Sequence, residues 1–353
     1  MSGLIVRTKV SDLLLSHGYK IYIATRLYDY SQKLQAEELE KNVLKTLTDV
    51  TDIEHFEKPV TFVPFRDIDE DKIISENKSL SIFQKDIERL SKDVIGLIGI
   101  YNDISKDDGI AFEIGYSYAN SIPVFLLNTD FIWYRLIKEQ EDFIYDPIIS
   151  QMAKTKRYYQ IPETSNNFKE RLLEGFNNAL SMLSTELKFF FESDFNDLGI
   201  RAIKKLEIKP KKVFIDFGGG RCEYQREYTN RLSTAIIDFA SEVSIGSRFT
   251  PSNISFDARA KNDLHNLEES EIYVFSADEP EIDSGSAALA GYAYATGKEI
   301  LMYYSGNIEI LGDGNQKMRK NLMVECACTD VLFTFDTLID RILKSLYGES
   351  VLC

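Results

Sequence analysis

The chain of 353 residues carries 41 basic and 56 acidic side chains, so its formal net charge is −15, and 44% of its residues are hydrophobic. This is the composition of a globular protein, and the length favours about two domains. A surface with this charge repels phosphate backbones and anionic lipid. We therefore expect neither nucleic acid nor a membrane surface as the main partner.

Cysteine content and apolar run length favour a reduced, cytoplasmic protein. The longest apolar runs, such as 95–101, fall short of the roughly 20 residues that a transmembrane helix needs. The N-terminus lacks the apolar region of a secretory signal. Four cysteines are too few for a disulfide framework and lack zinc-site spacing: Cys222, Cys326, Cys328 and Cys353. We expect no metal.

The first half of the chain alternates strands with helices. Short apolar runs predict strands, and apolar residues three and four positions apart predict helices. The predicted elements in chain order are a strand at 20–25, a helix at 32–47, a strand at 60–64, a helix with Asp86 near its start, a strand at 94–101, a turn and helix at 107–119, and a strand at 123–128.

The second half repeats this plan. Its predicted elements are a strand at 212–216, a helix at 229–240, a helix and strand at 262–275, a turn and helix at 283–295, and a strand at 299–304. The pattern Asp-x-Gly-x-Ala-x-x-x-Gly-Tyr-x-Tyr-Ala occurs at both 107–119 and 283–295. We therefore predict two tandem α/β domains, each a doubly wound parallel sheet of the Rossmann-like or flavodoxin-like class.

A further helix is predicted between the two halves. Apolar residues recur at helical spacing from Phe168 to Leu187, and Asn166 or Asn167 can cap its start. We expect a packing helix, followed by an inter-domain connection at 194–212. The predicted domains are 1–160, a helical connector at 161–210, and 211–353.

One segment combines the features of a ligand site. Ligands of open α/β sheets bind beyond the carboxyl ends of the strands, and 107–113 leaves such a strand to start a helix. Gly109 permits a close ligand approach, and Glu113 lies where backbone N–H groups favour an ionised carboxylate. Such a carboxylate beside an anomeric carbon is a glycosyl nucleophile. The second half has Leu289 at that position, so the scaffold does not require the acid.

This arrangement resembles the nucleoside 2-deoxyribosyltransferase family over most of 20–130, and more weakly over 212–325. The most specific element is Asp107-x-Gly109-x-Ala111-x-Glu113-x-Gly115 after a strand, with Asp86 upstream and Lys20-Ile-Tyr22-Ile-Ala24 at the start. The resemblance implies the family's fold and a transfer of deoxyribose between nucleobases that needs no cofactor. The implied partners are a nucleoside or nucleotide and a free nucleobase.

The resemblance also implies a role for each matched residue. Glu113 would attack C1′ of a 2′-deoxynucleoside, and a second base would then collect the sugar. Tyr22 would position that carboxylate, and Asp86 would protonate the leaving base. Asp107 would hold the 5′-hydroxyl group, and Gly109 and Ala24 would line the substrate site.

In the family, a neighbouring subunit completes each site with a segment like Asn-Leu-Met. The second half contains Asn321-Leu322-Met323, and the first half has Asp146-Pro147-Ile148 at the corresponding place. We therefore expect the halves to pack as an internal pseudo-dimer in which Asn321 and Met323 close the site around Glu113. Whether chains also associate as homo-oligomers stays open.

The second half's own site is expected to be inactive. It has Leu289 in place of the acid and Phe214 in place of the tyrosine, although Asp263 and Asp283 remain. The repeat thus predicts one working site and one degenerate copy.

The identity of the substrate is less determined. Thr25-Arg26 and Phe65-Arg66-Asp67 depart from the family pattern, and Arg66 or Arg26 paired with a phosphate would indicate a nucleotide. As a salt-bridged surface group, Arg66 needs no such role.

Two alternatives to the transferase remain. One is an N-glycoside hydrolase of nucleoside 5′-monophosphates, with water as acceptor. The other is a protein that binds or senses a nucleotide-like ligand without turning it over. A dinucleotide-binding oxidoreductase is rejected, because Gly218-Gly219-Gly220 lacks the G-x-G-x-x-G spacing.

Overall fold

The computed structural model describes residues 8–26, 30–53, 55–68, 78–102, 108–129, 134–136, 141–158, 167–194, 211–306, 308, 310–312 and 316–348. The helices are α1 (Val10–Ser16), α2 (Tyr30–Thr51), α3 (Pro64–Asp67), α4 (Lys78–Lys92), α5 (Asp108–Ala119), α6 (Pro147–Met152), α7 (Phe168–Glu192), α8 (Glu223–Ile236), α9 (Phe256–Glu269), α10 (Ser284–Ala295), α11 (Leu322–Ala327) and α12 (Phe335–Tyr347). The strands are β1 (Lys20–Ala24), β2 (Thr61–Phe62), β3 (Val94–Ile100), β4 (Val124–Asn128), β5 (Tyr134–Leu136), β6 (Glu141–Phe143), β7 (Thr155–Tyr158), β8 (Lys212–Asp216), β9 (Glu242–Ile245), β10 (Ile272–Ser276), β11 (Glu299–Tyr303), β12 (Ile310–Gly312), β13 (Gln316–Met318) and β14 (Asp330–Leu332).

Each half of the chain builds one five-stranded parallel sheet. The strand orders are β2-β1-β3-β4-β7 and β9-β8-β10-β11-β14, which is the same plan twice. Two small antiparallel pairs, β5-β6 and β12-β13, lie outside these sheets. The predicted doubly wound α/β class is confirmed. In both sheets the strand order reverses direction next to the first strand, β1 or β8. Ligands of this architecture bind at such a reversal point.

Two predicted boundaries were wrong. Helix α4 begins at Lys78, so Asp86 lies in its middle, on the face that also buries Ile82 and Leu90. Helix α8 begins at Glu223 and not near residue 229, because Gln225 accepts a hydrogen bond from the backbone N–H of Cys222 and closes the helix start.

The helix predicted between the two halves, α7, packs as a layer of the first half. The side chain of Asn167 caps α7 by accepting a hydrogen bond from the backbone of Lys169 at 3.1 Å, as the sequence predicts. Phe190 packs on the first sheet, with its ring centroid 5.1 Å from that of Phe125. Although α7 has 25 residues, none of the described helices is long and apolar enough to cross a membrane.

The two halves meet through α5 and α10, which are buried along most of their length. A Cβ atom on Gly115 would overlap the carbonyl oxygen of Ala288, and a Cβ atom on Gly291 would overlap the carbonyl oxygen of Phe112. The contact is reciprocal, since Gly115 and Gly291 hold the same place in the repeated pattern. Glycine at these positions therefore lets the two helix backbones touch.

We expect Gly115→Ala to lower the free energy of unfolding by about 1–3 kcal/mol or more, because the new methyl group meets rigid backbone. Urea denaturation measures this change. Gly99→Ala is the matched control, since the nearest atoms to its methyl group would be side-chain methyl groups, the closest that of Leu126 at 3.2 Å. Equal losses in the two variants would contradict a special role for the helix contact.

Candidate functional site

A pocket lies beyond the carboxyl ends of β1 and β3, where the first sheet reverses its winding. Its cavity volume is about 50 Å³, and the pocket opens to solvent. Residues from both halves of the chain form its wall: Thr25, Pro64, Ile82, Asp86, Gly109, Ile110, Glu113, Asn321, Leu322 and Met323.

The carboxylate of Glu113 is held by a tyrosine from the neighbouring strand. Tyr22 is fully buried in β1, and its hydroxyl group donates a hydrogen bond to Oε1 of Glu113 at 2.6 Å. The Tyr22 ring packs beside Phe62, with a centroid distance of 5.4 Å. Since both ends of the tyrosine are fixed, the carboxylate is oriented before a ligand arrives. The distance of 2.6 Å lies in the range of strong O–H···O hydrogen bonds.

A second carboxylate lines the same pocket. Asp86 projects from α4 and is 5% exposed, while Glu113 projects from α5 and is 7% exposed. Ile82 and Ile110 each lie one helical turn before these acids and form an apolar wall. Two carboxylic acids along one apolar pocket are the residue types that can act as acid and nucleophile in the cleavage of a glycosidic bond.

The second half closes this pocket with the start of α11. The side chain of Asn321 caps α11 by accepting a hydrogen bond from the backbone of Met323 at 2.9 Å. The preceding residues anchor this turn. Arg319 donates to the Glu325 carboxylate, and the buried ammonium group of Lys320 donates to the carbonyl groups of Glu279 and Pro280. Asn321 and Met323 therefore face the pocket of Glu113 on a fixed turn.

Not all of the remaining predicted residues lie in the pocket wall. Gly109 lines the pocket, whereas Ala24 is fully buried and is not part of the described wall. Arg66 lies outside the wall on an exposed surface, where it donates hydrogen bonds to Glu40 and Asp67 at 2.5 and 2.8 Å. Asp107 lies outside the described residues.

Sequence reasoning missed half of the wall. Thr25, Pro64, Ile82, Ile110 and Leu322 line the pocket, but each is a residue type that also fills cores and turns. The positions of these residues in the predicted elements were the available signal for a place in the pocket wall. Thr25 directly follows β1, Pro64 lies two residues after β2, and the two isoleucines share helix faces with the predicted acids.

The three cysteines that the structure describes lie outside the pocket wall. Cys222, Cys326 and Cys328 are free thiols. Burial raises the pKa of Cys326 to about 11 and the pKa of Cys328 well above its usual value, so neither thiol ionises at neutral pH. Among the residues that the structure describes, no group of metal-ligating side chains is assembled.

The corresponding place in the second half is filled with side chains. Phe214 and Leu289, the counterparts of Tyr22 and Glu113, are fully buried. Asp216 ends β8 as Ala24 ends β1, and Asp263 holds the place of Asp86.

Arg248 lies at the centre of this second place and is completely buried. Its Nη1 atom donates to Asp216 at 2.8 Å and lies 3.5 Å from Asp263, while Nη2 donates to Asp283. Its Nε atom lies 3.5 Å from Asp146, which belongs to the first half. A single guanidinium group thus joins four carboxyl groups across both halves.

Burial and the surrounding charges change the pKa values of these carboxyl groups. Burial, together with the nearby Asp283, raises the pKa of Asp146 to about 7. Burial, together with Asp216, raises the pKa of Asp263 to about 7. Burial alone would also raise the pKa of Asp283, but Arg248 and Arg221 lower it to about 2. Protonation of Asp146 and Asp263 would leave two carboxylates for two guanidinium groups.

We expect the free energy of unfolding to fall as the pH rises from about 5 to about 8, since a carboxyl group with a raised pKa binds more protons in the folded than in the unfolded chain over this range. Urea denaturation across this pH range measures the slope. Asp146→Asn should flatten it, and the exposed Asp257→Asn should not. An unchanged slope in Asp146→Asn would contradict the assignment.

Comparison with known proteins bears on the first half. Residues 21–154 match the family model described as nucleoside 2-deoxyribosyltransferase. This segment contains Tyr22, Asp86 and Glu113 and makes up less than half of the chain. No curated protein matches the chain.

Solved structures similar to part of the chain include three proteins. The 2-desoxiribosyltransferase from Leishmania mexicana is 17% identical, with 38% of this chain and 98% of that chain covered and a TM-score of 0.33. A conserved protein from Enterococcus faecalis V583 is 19% identical, with 39% and 100% covered and a TM-score of 0.32. The 2-deoxyribosyltransferase from Bacillus psychrosaccharolyticus is 19% identical, with 52% and 97% covered and a TM-score of 0.29.

Proposed function

We propose, from the membership of residues 21–154 in the nucleoside 2-deoxyribosyltransferase family, that this chain moves a 2-deoxyribosyl group from one nucleobase to another. The observation that carries the proposal is the 2.6 Å hydrogen bond from Tyr22 to Glu113, beside Asp86 in one pocket. Family membership alone gives the reaction class, and this geometry supports the assignment of roles.

The proposed reaction has two displacements at C1′. Glu113 attacks C1′ and forms an ester with the sugar, while the bond from C1′ to the base nitrogen breaks and Asp86 delivers a proton to that base. A second nucleobase then attacks C1′, gives up its proton to Asp86, and releases the Glu113 carboxylate. Two inversions restore the original β configuration.

The pairing of the halves supports an internal pseudo-dimer, which remains part of the proposal. The reciprocal contacts of Gly115 and Gly291 have the form of a two-fold interface, in which equivalent residues exchange equivalent contacts. The repeated strand order agrees with this arrangement. Asn321 caps α11 at the first pocket, and Asp146 caps α6 beside Arg248, so each half contributes a helix start to the other.

Charges in the pocket favour a nucleoside over a 5′-phosphate. In the part of the wall that the structure describes, no lysine or arginine is present, and the ionisable groups there are Asp86 and Glu113. Arg66, the sequence candidate for a phosphate, already contacts two carboxylates. Within the described part of the wall, a dianionic phosphate would meet two carboxyl groups and no cation. The cytoplasmic location and any homo-oligomer stay predictions.

We expect Glu113→Leu to abolish transfer, because the nucleophile is lost. The fold should tolerate leucine there, since the second half has Leu289 at the equivalent position. Chromatography of a 2′-deoxynucleoside incubated with a different free base measures the new deoxynucleoside. Tyr22→Phe copies Phe214 and should lower the rate about 10- to 100-fold, since one hydrogen bond to a charged group is removed.

The product pattern separates the candidate functions. A new deoxynucleoside that is absent with Glu113→Leu supports the transferase. Release of free base without a new nucleoside would identify a hydrolase instead, and binding without turnover would identify a ligand-binding protein. Full activity in Glu113→Leu would remove Glu113 as the nucleophile.

We expect Asn321→Ala to lower transfer at least about 10-fold, because the residue faces the reacting groups from the second half. Asn167→Ala is the matched control, since it removes the same kind of helix cap from α7 at a position outside the pocket wall. Both variants should lose about 1 kcal/mol of stability. Equal activities in the two variants would argue against a role for Asn321 in the site.

A further inference from the structure

We infer that the second half retains a ligand pocket and that the chain fills this pocket with its own guanidinium group, that of Arg248. The pocket is a site for a planar cation of the guanidinium or amidinium class, and in the native protein its occupant is covalently part of the chain. This inference does not depend on the proposed transfer reaction.

The position of Arg248 supports this assignment. The register of the two sheets makes Phe62 and Ser244 equivalent positions. Phe62 pairs with Tyr22 in the first half, and Ser244 pairs with its counterpart Phe214 in the second. Arg66 and Arg248 each follow four residues later. In the first half this arginine turns outward to surface carboxylates and the pocket is open. In the second half the equivalent arginine turns inward and takes the space where a ligand would lie.

The surrounding groups form a cage that suits a guanidinium ion. Carboxyl oxygens approach three nitrogen atoms of Arg248, and Ser286 accepts a further hydrogen bond from Nη2 at 3.1 Å. The cage has acidic residues at two places where the first half has uncharged ones: Asp216 replaces Ala24, and Asp146 takes the place that Asn321 has in the other half. A guanidinium group donates from several nitrogen atoms in a fixed geometry, so several carboxyl acceptors around it form its recognition pattern.

The backbone is also shaped around this side chain. A Cβ atom on Gly219 or on Gly285 would overlap Arg248. Gly219 has φ of +61°, a conformation that glycine adopts without strain. These glycines belong to a loop after β8 and to the start of α10, so two separate segments leave room for one guanidinium group.

The cage is not saturated by its occupant. The Nε atom of Arg248 and the Oδ2 atom of Asp146 are both buried without a hydrogen bond, although they lie 3.5 Å apart. A covalent tether limits how a guanidinium group can sit. A free guanidinium ion of the same class has no tether and can adjust to all the acceptors.

The test removes the tethered occupant and supplies a free one. In Arg248→Ala, about 50 mM guanidinium chloride should raise Tm by several degrees, because a ligand that binds only the folded state stabilises it. This concentration is far below the denaturing range, and equal concentrations of sodium chloride and urea control for salt and for denaturant. Wild type should show no rise, since its cage is occupied.

Two further variants make the result decisive. Arg66→Ala is the matched control, because it removes the equivalent arginine from the open half and should show no response to guanidinium. Arg248→Ala combined with Asp216→Asn leaves less uncompensated negative charge and serves if the single variant does not fold. No rise in Tm in the folded variants would overturn the inference. Failure of both variants to fold with guanidinium present would overturn it equally, since the free ion should then replace the lost group.

Discussion

Close contact between α5 and α10 is the constraint on which the candidate site depends. The helix that carries Glu113 has its opposite side against the second half, at a distance that only glycine permits at residues 115 and 291. This contact brings α11 over the first pocket and Asp146 beside Arg248. A wider separation of the two helices would open both places together. The site therefore belongs to the interface as much as to either sheet.

The two halves have the same fold but different side chains at the equivalent site. The first keeps a polar pair, Tyr22 and Glu113, under an open pocket, whereas the second has two apolar residues there and buries its ionic groups nearby. Buried ion pairs lose hydration and seldom add much net stability. The cluster around Arg248 is better understood as a device that fixes one geometry between the halves. Asp146 and Asp263 in this cluster titrate near neutrality, because burial and a neighbouring aspartate raise their pKa values to about 7.

The sequence predicted the sheets and the carboxylates better than the pocket wall. Strands are short apolar runs, and the repeated glycine pattern located the helix of Glu113, so both could be recognised along the chain. Asp86 was predicted near a helix start, whereas it lies in the middle of α4 on the buried face. Arg248 gave no local signal. Its significance comes from Asp146, Asp216 and Asp263, which only the fold brings together, although an acid at the end of a buried strand was a clue.

The presence of Asn321 and Glu113 on a single polypeptide changes how the pocket responds to dilution. When a site is shared between separate subunits, it disassembles as the protein concentration falls below the dissociation constant of the subunits. Here the two parts are joined by the chain, so their encounter is intramolecular and has a fixed effective concentration. The pocket of this protein should remain complete at any concentration at which the chain stays folded.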